Sequence, residues 1–120
     1  DVVALRKQVR ERAVAIALSL VEQTKLVTAA SELARNTIKY GGGGEVHLDE
    51  LDDGLRRGVG LIFVDHGPGI ADIEQALRDG YTTGGGLGLG LGGSKRLVEE
   101  FEIASRTGQG TAVAVVKWKR

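Results

Sequence analysis

The sequence predicts an α+β fold, a sheet with helices on one face. Three observations predict it. Two stretches at the start carry apolar residues at helical spacing, four later stretches read as strands, and the two kinds of segment do not alternate strictly. Over residues 2–18, Val2, Leu5, Val9, Ala13, Ile16 and Ala17 fall on one helical face behind Asp1, with Arg6, Lys7, Arg10 and Arg12 off it. Ser19 followed by Glu22 has the spacing of a capping box and opens a second helix that runs to the glycines at 41–44. Its buried stripe is Leu26, Ala30, Leu33 and Thr37, widened by Val27, Ala34 and Ile38, and the first of the four glycines suits the left-handed position beyond the helix. Residues 45–51 and 59–65 are strands, the second nearly continuous in apolar residues, with Asp52, Asp53, Gly54 and Gly58 between them. Residues 72–79 read as a short helix capped by Asp72, residues 94–101 as another helix, and 102–107 with 111–118 as a closing hairpin.

Composition narrows the function. A chain of 120 residues, 42% apolar, suits one domain with one ordinary core. Sixteen basic and sixteen acidic side chains cancel, so no overall field favours nucleic acid or a membrane surface. Without cysteine there is no disulfide framework, no thiolate chemistry and no cysteine-based metal site. Aromatics make up 4% of the chain, too few for a base-stacking surface, and His47 and His66 alone do not suggest zinc. No apolar run has the length of a membrane span and no secretory signal is visible, so the expected location is cytoplasmic.

Residues 82–96 hold seven of the chain's 19 glycines, interleaved with Leu87, Leu89 and Leu91. Such a stretch can bring backbone N–H groups close to an anion, and its regular leucines count against the plain alternative of a flexible linker. The Walker order is absent, because Ser94 precedes Lys95. Gly88, Gly90 and Gly93 match the dinucleotide pattern, but no apolar strand leads into them. The H-R-D and D-F-G motifs of the eukaryotic-type kinases are missing too. A second motif, residues 64–70, places Asp65 at the end of a buried strand before a turn with Gly67, Pro68 and Gly69. That carboxylate can accept from an exocyclic amine while a flat base lies on the turn; a simple strand-ending turn is the bland alternative. On the second helix, Glu32 and Asn36 stand four residues apart on one face. An amide oxygen there can hold a hard cation and leave a carboxylate as base, or the two can be a solvated polar pair.

In that order, a Glu/Asn helix, an Asp-x-Gly-x-Gly turn and a glycine-rich lid resemble the GHKL ATPase superfamily, and within it the RsbT-like switch-protein serine/threonine kinases of the stressosome. The resemblance runs through residues 30–36, 64–70, 79–83, 85–88 and 95–97 and ends with Gly110-Thr111 and Lys117-Trp118, so it covers nearly the whole chain. It implies a Bergerat-type two-layer sandwich, with a mixed, mostly antiparallel sheet and a glycine-rich ATP lid, as a single domain over residues 1–120. Relatives usually carry a strand before the first helix, so either the sheet is one edge strand short here or that strand lies outside this sequence.

The resemblance also implies roles. Glu32 becomes the general base, Asn36 the magnesium ligand and Asp65 the adenine reader, with Gly67 and Gly69 shaping the pocket and Thr111 supporting the base. Gly86, Gly88 and Gly90 form the lid over the phosphates, and the helix starting near Ser94 aims its amides at them. Related kinases have an arginine before the lid glycines where this chain has Thr82-Thr83-Gly84, which leaves Lys95, Arg96, Arg35 or Lys39 to meet the γ-phosphate. Tyr40 stands where many relatives have histidine. The implied activity is ATP- and Mg2+-dependent phosphorylation of a STAS-domain antagonist, followed on release by activation of a PP2C-type phosphatase. The alternatives are an anti-sigma factor or nucleotide-gated binding module, and a histidine-kinase catalytic domain, which would be joined to a phospho-accepting helical hairpin.

Overall fold

Each of the first two helices starts where a side chain satisfies its free amides. In the computed structural model, which describes residues 1–78 and 90–120, Asp1 Oδ1 accepts from Ala4 N at 2.8 Å and opens α1 (Val2–Ala15). Ser19 Oγ accepts from Glu22 N at 3.1 Å and opens α2 (Leu20–Lys39). Helix α1 ends earlier than the apolar spacing suggests. Ala17 turns into the left-handed region (φ 61°), so Leu18 enters the core and Ala17 stays outside. Helix α2 buries Leu26, Ala30, Leu33 and Thr37 as expected, but Ile38 is 55% exposed. The buried hydroxyls of Ser31 and Thr37 donate to the carbonyls of Val27 and Leu33 one turn back, which removes the cost of burying them. Beyond α2 the left-handed positions fall to Gly42 and Gly43 rather than Gly41.

The strands β1 (Gly44–Asp52), β2 (Arg57–Asp65), β3 (Glu100–Arg106) and β4 (Gly110–Trp118) form one sheet in the order β1-β2-β4-β3. Every pairing among them is antiparallel, so the expected mixed character is not seen among the described residues. Val59, Leu61 and Phe63 of β2 and Val113 and Val115 of β4 face the helices and close the core with Val9, Leu26 and Leu33. The β1–β2 turn is built by Asp53, whose Oδ1 accepts from Leu55 N and Arg56 N. Gly58, expected in that turn, lies in β2 instead. A Cβ there would sit 2.7 Å from the Trp118 ring, so its glycine makes room for an aromatic.

Asp72 Oδ1 accepts from Gln75 N and caps α3 (Ile73–Ala76), a shorter helix than expected. The helix expected over residues 94–101 is displaced. Helix α4 runs Gly90–Lys95 and the chain is already extended at Glu100. Two tertiary demands explain this. A Cβ at Gly92 would lie 2.1 Å from Leu77 O, so the glycine lets α4 pack against the end of α3. Glu99 must face β4, where it accepts from Trp118 N at 2.7 Å and Lys117 Nζ at 3.0 Å, and a continuing helix could not present it there.

Candidate functional site

Between α2 and the helix-facing side of the sheet lies a cleft of about 740 Å³, a volume in the range of small-molecule and cofactor pockets. Helix α2 supplies one wall with Glu32 and Asn36, β2 and β4 supply Asp65 and Thr111, and the turn after β2 supplies Gly69 and Ile70. Gly90 and Leu91 close the end beside Glu32, and Leu33, Phe63 and Val113 make an apolar floor. The cleft thus has an apolar middle suited to a flat ring and two polar ends of different character.

At one end, Asp65 Oδ1 accepts from Gly67 N at 2.9 Å, which fixes the carboxylate and leaves Oδ2 without a donor among the described residues. Gly41 packs against that same carboxylate. A Cβ at position 41 would lie 2.4 Å from Asp65 Cγ and 2.6 Å from Oδ2. Gly67 packs on Gly41 in turn, with its own missing Cβ 2.7 Å from Gly41 Cα. Gly69 has φ 77° and no room for a side chain beside Arg106 O, so it holds the turn against the β3–β4 hairpin. Thr111 is paired directly across from Asp65 in the sheet, and Gly110 before it needs φ 124° to pass Asp65 O.

At the other end, Glu32 is 8% exposed and its Oε1 accepts from Gly90 N at 3.1 Å. Arg35 reaches its other oxygen at 3.8 Å but is itself more than half exposed. Asn36 lies one turn on, lines the same cleft and makes no side-chain hydrogen bond among the described residues. Arg35 and Lys39 line this rim, and the Lys39 ammonium sits 5.3 Å from the Tyr40 ring centre. A carboxylate, a free amide oxygen and two cations gathered at one end suit an oxygen-coordinated cation and a polyanion. Among the described residues no cluster of three or more His, Cys, Asp or Glu could hold a metal alone.

The cleft therefore brings together Glu32, Asn36, Asp65, Gly69, Gly90 and Thr111, with Gly67 behind Asp65. Lys95 is not with them, being exposed in the last turn of α4 and outside the cleft lining. Gly86 and Gly88 lie outside the described residues. The amides expected near Ser94 are not at a helix start, since Ser94 is fully buried and donates to Gly90 O; the first amide of α4 belongs to Gly90 and is used by Glu32. The motif reading passes over Gly41, which lines the cleft, and Ser105, which stands behind Thr111. Gly41 reads in sequence only as part of a helix stop, and Ser105 sits in a strand with no local signature.

The model of the histidine kinase-, DNA gyrase B- and HSP90-like ATPases matches residues 21–120. The chain belongs to that ATPase family. It is 42% identical over 120 residues to the serine/threonine-protein kinase RsbT of Bacillus subtilis (strain 168), covering 100% of this chain and 90% of that protein. It is 31% identical over 106 residues to the anti-sigma F factor of Anoxybacillus flavithermus, covering 82% of this chain and 71% of that one. Among solved structures it resembles the mycobacterial sensor histidine kinase MprB, with TM-score 0.60 and 24% identity over 82% of this chain and 72% of that one. The catalytic domain of histidine kinase ThkA matches with TM-score 0.55 and 20% identity over 81% and 67%. These two likenesses speak for the fold, which is the GHKL ATPase fold expected from the motifs.

Proposed function

We propose that this chain is an ATP-dependent serine/threonine protein kinase of a bacterial partner-switching pathway, which phosphorylates a STAS-domain antagonist and on release binds and activates a PP2C-type phosphatase. The observation that carries the reading is the pairing of Glu32 and Asn36 at one end of the cleft with Asp65 and Thr111 at the other. The likeness, over all of this chain and 90% of the other, to a named serine/threonine-protein kinase supports the activity.

In this reading Asp65 Oδ2 accepts from the adenine amino group, and Leu33, Phe63 and Val113 exclude water from the ring. Asn36 would hold Mg2+ through its amide oxygen. That ion supplies charge neutralisation between phosphates, the main need of phosphoryl transfer. Glu32 accepts the proton of the attacking hydroxyl as the new O–P bond forms and the bond to ADP breaks. Gly90 N–H and Arg35 orient its carboxylate. Gly86, Gly88 and Gly90 would serve as the lid over the phosphates, and Arg35 and Lys39, which line the cleft, are the candidates for a cation near them. Cytoplasmic location fits this role, and among the described residues no helix is long and apolar enough to cross a membrane.

The second reading is an anti-sigma or nucleotide-gated binding module, favoured by the likeness to an anti-sigma F factor. Labelled ATP with a panel of STAS-domain proteins and sigma factors separates the two. The kinase reading expects labelled serine or threonine on a STAS protein, and Glu32→Ala that still binds ATP but transfers at least ~100-fold less. Stable sigma-factor complexes without any transfer would favour the second reading instead.

A further inference from the structure

Three polar side chains stand in one row across the sheet. Asp65 of β2 faces Thr111 of β4, and Thr111 faces Ser105 of β3, all on the side toward the helices. Ser105 does not line the cleft, yet it makes more hydrogen bonds than either residue that does. Its Oγ accepts from Ile70 N at 2.7 Å, donates to Gly110 O at 3.1 Å and lies 2.8 Å from Thr111 Oγ1.

Proton counting decides the direction of that last bond. A hydroxyl has one proton and two acceptor sites. If Ser105 gives its proton to Gly110 O, it still has one site free beside the Ile70 amide, and Thr111 fills it by donating. All three contacts are then hydrogen bonds. If Ser105 instead donates to Thr111, Gly110 O loses its bond from Ser105 and only two remain. The first arrangement is favoured by one hydrogen bond. It uses Thr111's only proton, so toward the cleft Thr111 offers lone pairs alone. Asp65 Oδ2 likewise only accepts.

We propose that Ser105 is a positioning residue that holds Thr111 as a hydrogen-bond acceptor, so that this end of the cleft selects a 6-amino purine nucleotide over a 6-oxo purine nucleotide; the proposal rests on the nucleotide reading given above. A 6-amino group, or a water attached to it, brings protons to both acceptors. A 6-oxo group brings an oxygen to a carboxylate and to hydroxyl lone pairs, and sites built this way reject the mismatched edge strongly. Without Ser105, the Thr111 hydroxyl turns freely and can donate to a 6-oxo group.

The test is the ratio of inosine triphosphate to ATP dissociation constants, measured by titration calorimetry with Mg2+ on the whole chain. Ser105→Ala should lower the wild-type ratio about three- to tenfold, the worth of one ordinary hydrogen bond. Ser105→Thr, which keeps the hydroxyl, should restore it. Thr111→Val should lower the ratio similarly, and adding Ser105→Ala to Thr111→Val should change nothing more, because Ser105 acts through Thr111. An unchanged ratio in Ser105→Ala, including equal weakening of both nucleotides, overturns the proposal, as does an additive double variant. Should Ser105→Ala not fold, Thr111→Val keeps both backbone bonds of Ser105, and an unchanged ratio there is equally fatal. Asp65→Asn separates the two levels. If it collapses the ratio while Ser105→Ala does not, this proposal alone fails; if it too leaves the ratio unmoved, the adenine reading fails and takes the proposal with it.

Discussion

Asp65 is held from two sides, by a hydrogen bond from Gly67 N and by the bare Cα of Gly41. The two contacts make different predictions. Asp65→Asn can keep the Gly67 bond through its amide oxygen, but then presents an NH2 group where Oδ2 would accept from the proposed adenine amine. A donor facing an amine leaves both unsatisfied, and ATP affinity should fall by about 10- to 100-fold with the fold intact. Unchanged affinity would remove Asp65 from the adenine site. Gly41→Ala acts by volume. Its Cβ would fall 2.4 Å from Asp65 Cγ, well inside any real contact, so the carboxylate must swing away. Nucleotide binding should weaken, along with a stability loss of roughly 1–3 kcal/mol read from urea unfolding. Full ATP affinity in Gly41→Ala would show that the carboxylate's place does not depend on this glycine.

Lys117 ties three elements together. Its ammonium, almost wholly buried in β4, meets Glu22 in the first turn of α2 and Glu99 in the segment before β3, and donates to Leu97 O. The hydrogen bond from Lys117, helped by the charges of Lys117, Lys25 and Arg120, holds the Glu22 carboxyl below its ordinary value of 4.5. A carboxyl whose pKa is lowered by folding stabilises the folded state above its unfolded pKa, and that contribution disappears as pH falls through the folded one. Unfolding midpoints should therefore drop as pH goes below about 4.5, and Glu22→Gln should flatten that part of the curve. Lys117→Met strands two carboxylates that each keep about a fifth of their surface in solvent, so a loss of about 2 kcal/mol is expected, less than for a fully buried pair. This scale also shows what sequence can and cannot reveal. The caps Asp1, Ser19 and Asp72 act within three residues, and all three are readable from spacing. Glu32, Asn36 and Asp65 are readable because helical spacing or a strand-ending turn marks them. Helix α4 is not, because its glycines look like loop and its place depends on Leu77 O, a contact from another element. Ser105 is invisible for the same reason, since its meaning comes only from its neighbours across the sheet.

At the scale of the molecule, the cleft is walled by both layers, α2 and α4 on one side and the ends of β2 and β4 on the other. A nucleotide bound there bridges the layers and must stabilise the fold as a whole, in proportion to its occupancy of the native state. At a free ATP concentration of 100 times the dissociation constant, linkage gives about 2.7 kcal/mol. For a chain of 120 residues that corresponds to an upward shift of the thermal midpoint of roughly 10 °C. The variants sort this effect by role. Glu32→Ala, altered at the proposed base but not in the proposed adenine or magnesium contacts, should keep most of the shift while losing phosphate transfer. Asp65→Asn, at the same ATP concentration, should lose about half of it or more. Scanning calorimetry with and without ATP and Mg2+ reads both. Equal shifts in wild type and Asp65→Asn would mean that the nucleotide is held elsewhere. Loss of the shift in Glu32→Ala would mean that Glu32 is part of the binding wall and not the base, because a residue whose work lies in the transition state leaves ground-state occupancy untouched.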